Sequence, residues 1–138
     1  MTDREFLDAL ESGELPEHEF GHAAHVRAAY LYLKEGEFID AYARIRRAIR
    51  NFAGRLGKPD KYHETITVAY LALIQQRMRE GGAAADWAAF VQANPELFAP
   101  DLLRRYYPQD QLASEMARAI FLLPAVSPIV TPCDRSLK

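Results

Sequence analysis

Cysteine is nearly absent from this sequence. Cys133 is the single one in 138 residues, so no internal disulfide braces the fold and no thiolate cluster holds a metal. That usage fits a cytoplasmic setting. No apolar run approaches the ~20 residues that a membrane-spanning helix needs, so no membrane partner is expected. The start, Met1-Thr2-Asp3-Arg4-Glu5, is acidic and polar, where a secretory leader would be basic and then apolar. A basic excess is missing too: Lys plus Arg number 17 against 19 Asp plus Glu, a net charge of −2. Such a balance gives no electrostatic footprint for nucleic acid. The run Arg44, Arg46, Arg47, Arg50 falls on the outer positions of an amphipathic helix and reads as a solvated face. Glycine-rich phosphate loops, H-E-x-x-H, paired E-x-x-H and serine elbows are all missing.

What is there is ordinary globular material, 49% hydrophobic and 26% charged. A chain of this length forms one domain with a core of its own. Every periodic segment has the helical repeat and none alternates like a strand, so the expected class is all-α: a single-domain bundle of five to six helices. Thr2 or Asp3 caps a first helix to Ser12, ended by Gly13. A second runs from Gly21 to Glu35. A third runs from Glu37 to Leu56, with Phe38, Ala41, Tyr42, Ile45, Ala48, Ile49 and Phe52 as its inner stripe. A fourth, capped by Asp60, covers Lys61 to Glu80 and stops at Gly81-Gly82. A fifth covers Ala84 to Ala93 with Trp87 facing inward. A short helical piece spans Leu97 to Tyr106, and a last helix spans Gln109 to Leu122. Residues 1–123 thus make the helical domain. Residues 124–138, with Pro124, Pro128 and Pro132, make an extended C-terminal tail.

Two segments are apolar on nearly all sides: Val26 to Leu33 and Ile66 to Ile74. They belong at the centre. Short connections make successive helices antiparallel, so the second and fourth helices are expected to run parallel, with their N-termini at one end of the bundle.

Those N-termini carry three of the four histidines. His22 and His25 are three apart and share a helical face with Ala29 and Leu33. Arg27 lies about 140–200° away around the helix and serves another contact. His63 shares its face with Thr67, Tyr70 and Ile74. Glu64 lies about 100° to the side and joins the site only if the cavity wraps around the helix end. His18 sits between Pro16 and Gly21 and reads as an exposed linker histidine. Tyr106-Tyr107 reads as packing at a helix end.

Three imidazoles and a carboxylate form an N/O set suited to a divalent transition metal: zinc, ferrous iron, copper or manganese. In that reading His22, His25, His63 and Glu64 are the ligands, with Glu64 a fourth ligand or a base. Tyr32, Thr67 and Tyr70 hydrogen-bond to ligands or substrate, and Arg118 either pairs with an acid such as Glu64 or takes a substrate carboxylate. The same residues also suit a pocket without metal, in which His and Arg donors bind a small organic anion, favoured by two helix N-termini. A third reading makes the histidines structural. Acid separates the first two: protons compete with a metal for imidazole but strengthen an anion's binding.

The combination F-x-H-x-x-H-V-R-A-A-Y-L-Y-L (Phe20 to Leu33) with K-Y-H-E-T-I-T (Lys61 to Thr67) resembles a group of small bacterial all-helical proteins. The resemblance extends to a late segment, Leu112 to Arg118. It implies that His22, His25, His63, Glu64 and Arg118 belong to one site, and it brings no activity with it. These residues point to a metal-dependent enzyme acting on a small polar substrate, with hydrolase or lyase chemistry and oxygen chemistry both open. The anion-binding module stands beside it.

Overall fold

A computed structural model describes residues 1–81 and 86–125. These residues are all-helical, without a strand, and form seven α-helices joined by single-turn 3-10 segments. Helix α1 is Asp3–Ser12, α2 His22–Glu35, α3 Phe38–Arg55 and α4 Glu64–Glu80. Three shorter ones follow: α5 Trp87–Ala93, α6 Gln109–Leu112 and α7 Glu115–Ala119. The expected Gly82 stop, residues 84 and 85 at the start of the fifth helix, Cys133 and tail residues 126–138 lie outside the described residues.

The helix ends follow local chemistry. Thr2 caps α1 in a reciprocal box with Glu5. Gly13 ends the helix at φ +83° in the left-handed region, where the Arg55 guanidinium occupies the space a Cβ would need. Asp86 caps α5 through the Ala89 N–H.

α2 is the central element. Val26 and every residue from Ala28 to Leu33 are buried, because α3 and α4 pack against it and the Pro95–Phe98 turn covers another side. α1 packs on α3. Arg27 turns away from this core, as its angular position requires, pairing with Asp3 at 2.7 Å and lying over the Phe6 ring. α3 buries the stripe Ala41, Ile45, Ala48, Phe52 and Ala53 and faces outward with its arginines. Arg44 binds Glu35 at 2.7 Å and lies over Tyr32, Arg46 reaches Glu64, and Arg50 sits over Tyr62.

Several expectations need correction. The helix count rises to seven because the expected last helix is two: Ser114 accepts from the Ala117 N–H and starts α7 afresh. The Leu97–Tyr106 piece is two 3-10 turns, Pro95–Phe98 and Leu102–Arg105. Asp60 does not cap α4. It belongs to a 3-10 turn, Pro59–Lys61, and His63 is the cap. α4 is also less enclosed than its apolar sequence suggests, burying only Thr65, Leu71 and Ile74, because its Ile66 and Tyr70 border two cavities.

Candidate functional site: a basic cavity at the starts of two core helices

His22 is the first residue of α2 and His63 caps α4, and both line one cavity of about 620 Å³. The two histidine motifs therefore meet, but each ring is already engaged. The His63 Nδ1 accepts the Ile66 N–H at 3.1 Å, and its Nε2–H donates to the Leu112 carbonyl at 2.7 Å. This single imidazole caps α4 and ties it to the end of α6. The His22 Nε2–H donates to the Leu97 carbonyl at 2.9 Å, and its ring meets Tyr70 edge to face. The His22 Nδ1 has no hydrogen-bond partner among the described residues.

His25 lies one turn deeper and does not line this cavity. Its ring packs edge-on against Phe20, with centroids 4.0 Å apart. Burial, with a smaller contribution from His22, pushes its imidazole down to about 4. It is a neutral, half-buried histidine on the wall of an inner space.

Glu64 points away from the cavity. It accepts the hydroxyls of Tyr42 and Tyr62 and faces Arg46 at 3.4 Å. Burial works against the carboxylate, but the two tyrosine hydrogen bonds and the Arg46 charge outweigh it and hold the carboxyl below its ordinary range. The hydrogen bond to Glu64 in turn raises Tyr42, and burial together with that bond raises Tyr62. The cavity does not wrap around the helix end, so Glu64 stays outside it.

The four expected metal ligands do not form a coordinating set as arranged here. The Nε2 atoms of His22 and His63 carry protons directed at carbonyls, the His63 Nδ1 is occupied by a backbone N–H, and Glu64 is engaged elsewhere. Among the described residues no group of three or more His, Cys, Asp or Glu side chains is placed to hold a metal ion.

Arg118 does not take the expected acid partner. It is exposed, not buried, and its Nη1 donates to the Asp60 carbonyl at 2.7 Å, with no carboxylate partner among the described residues. It does line the cavity, and so do Lys61 and Arg104. Tyr70 lines it as expected, its hydroxyl raised by burial and, to a lesser degree, by the Asp101 charge. His18 is exposed beside Glu19, Tyr106 is exposed, and the Tyr107 hydroxyl bonds the Leu122 carbonyl.

Lys61, Arg104 and Gln109 escaped the sequence reading. Each lies in a turn or at a helix start, with no periodic pattern to mark it. Lys61 adjoins the histidine motif, and that adjacency was the one available signal. Thr65 was also missed. It is completely buried, donates to the Ile120 carbonyl at 2.7 Å and accepts the Leu122 N–H at 3.1 Å. It pins the segment after α7 onto the start of α4.

The cavity combines a basic rim with apolar walls. Lys61, Arg104 and Arg118 supply donors, His22 and His63 line the cavity with rings whose N–H groups are already engaged, Ile66, Leu103 and Leu112 supply apolar surface, and no Asp or Glu side chain is among its described lining residues. A neighbouring cleft of about 880 Å³ shares Lys61 and Arg118 but adds Asp60 and Glu115 to its basic groups, so its charge is mixed. Among the described residues no helix is long and apolar enough to cross a membrane. Comparison with protein families, curated proteins and solved structures finds no match to this chain.

Proposed function

We propose that this protein binds a small organic anion in the cavity between the starts of α2 and α4. The observation that carries this reading is the one-signed rim: Lys61, Arg104 and Arg118 around an apolar floor, with no carboxylate among its described lining residues. Arg118 and Arg104 supply hydrogen-bond forks suited to a carboxylate, and Lys61 a point charge. Ile66, Leu103 and Leu112 favour a ligand with hydrocarbon beside its charge. His63 positions the rim by fastening α4 to α6, while His22 faces the ligand.

Titration calorimetry with a panel of organic acids, inorganic phosphate and zinc tests this. The expected result is saturable binding of one or more acids, weakened about tenfold in Arg104→Gln and in Arg118→Gln, the loss of one charge-assisted hydrogen bond. Tight stoichiometric zinc binding that His22→Ala and His63→Ala abolish, with no acid bound, would overturn it in favour of a metal site.

A further inference from the structure

Behind the basic cavity lies a second, smaller space of about 70 Å³. Its walls are apolar side chains from three helices: Val26 and Ala29 of α2, Ile45 and Ile49 of α3, Leu71 and Ile74 of α4. His22, Ile66 and Tyr70 line both spaces and form the partition between them. Most of the inner lining is apolar. The Thr67 hydroxyl there is already donating to the His63 carbonyl at 2.8 Å, and His25 is packed against Phe20. An apolar space forfeits dispersion contacts when empty and favours an apolar occupant. At about 30 Å³ per water-sized group, it holds about two such groups.

We infer that the ligand is a short-chain aliphatic carboxylate, whose head sits among Arg104, Arg118 and Lys61 and whose hydrocarbon end passes between His22 and Tyr70 into the inner space. This rests on the anion-binding reading above and adds the ligand class. An inorganic oxyanion has nothing to place behind the partition, and a long fatty chain exceeds the space there. Ile66 lines both compartments and offers the chain a continuous apolar surface from one to the other. Entry requires the two rings to move apart, a side-chain rotation. No bond is made or broken.

The test is titration calorimetry on the full chain with linear monocarboxylates from acetate to decanoate, and inorganic phosphate as a probe without a chain. Affinity is expected to rise about fourfold per added methylene over a window of about two carbons, the value for burying a CH₂ group, and then to stop rising. Ala29→Val adds bulk to the inner space and moves the end of that window to a shorter acid. Ile49→Val removes a methyl group from the wall and moves it to a longer acid; should Ala29→Val fail to fold, this variant decides alone. Binding that shows no dependence on chain length, or a window that neither variant moves, overturns the inner-space assignment and leaves anion binding intact. If neither the acids nor phosphate bind, the anion-binding reading itself fails.

Discussion

His22 and Tyr70 meet edge to face with ring centroids 5.0 Å apart, joining the first turn of α2 to the second turn of α4. Together with Ile66 these rings separate the basic cavity from the apolar space behind it. Such a pair contributes about 0.5–1.5 kcal/mol beyond its buried area. Tyr70→Phe keeps the ring and is expected to leave the melting temperature and the chain-length window nearly unchanged. Tyr70→Ala is expected to cost about 2 kcal/mol in urea unfolding, below the usual range for a fully buried aromatic, and to erase the window.

Glu64 is a clamp between α3 and α4, holding Tyr42 of α3 and Tyr62 ahead of α4 on one carboxylate. Glu64→Gln replaces charged hydrogen bonds with neutral ones and leaves Arg46 without its partner. A loss of about 1.5–3 kcal/mol in chemical denaturation is expected. Anion affinity in the folded variant should stay at its original value, since Glu64 does not line the cavity. A large change in affinity with unchanged stability would return Glu64 to the site.

His63 is expected to act on folding through two separable bonds. His63→Asn retains an N-cap acceptor for Ile66 and loses the bond to Leu112, whereas His63→Ala loses both. A cap contributes about 1 kcal/mol and a hydrogen bond about 1 kcal/mol. Thermal unfolding should therefore rank wild type above Asn and Asn above Ala. Equal stability of the Asn and Ala variants would show that the cap contributes nothing.

His25 makes the fold sensitive to mild acid. Its imidazole is held at about 4 in the folded protein against 6.5 in the ordinary state. Above 6.5 both the folded and unfolded forms are neutral and the full stability is present. As pH falls from 6.5 toward 4, the unfolded chain takes up a proton that the folded one refuses. Stability declines by up to about 3 kcal/mol over that interval. Unfolding free energies of wild type and His25→Leu, measured from pH 7 to pH 4, should diverge in this window, with Leu losing less. Parallel curves would show that His25 titrates normally.

The helical bundle was legible in the sequence because its signals are local. Thr2, Gly13 and Gly36 bound helices by backbone chemistry acting over a few residues. The α3 stripe from Ala41 to Phe52 is a periodicity that any partner surface would read the same way. The inward face shared by Tyr70 and Ile74 follows from helical geometry alone, as does the outward turn of Arg27 toward Asp3. The break at Ser114 escaped because one cap residue inside an otherwise helical stretch carries little weight against the pattern around it.

The site was half legible. That the starts of two apolar helices carry histidines is written in the chain, and His22 and His63 do share a cavity. What those rings bond to is not. Leu97 lies 75 residues from His22, and Leu112 lies 49 residues from His63. A backbone carbonyl leaves no trace in the identity of its residue, so nothing in the sequence marks these acceptors. The Tyr42–Glu64 contact is also nonlocal, and it turned a candidate ligand into a structural clamp. Arg104 and Arg118 reach the same cavity from separate turns. By itself the sequence determined where helices run, which faces they bury and where the chemistry-bearing ends lie, because those depend on neighbours within a turn or two. Only the tertiary structure decided which donors remain free to meet a ligand, because hydrogen bonds from distant segments engage the others first.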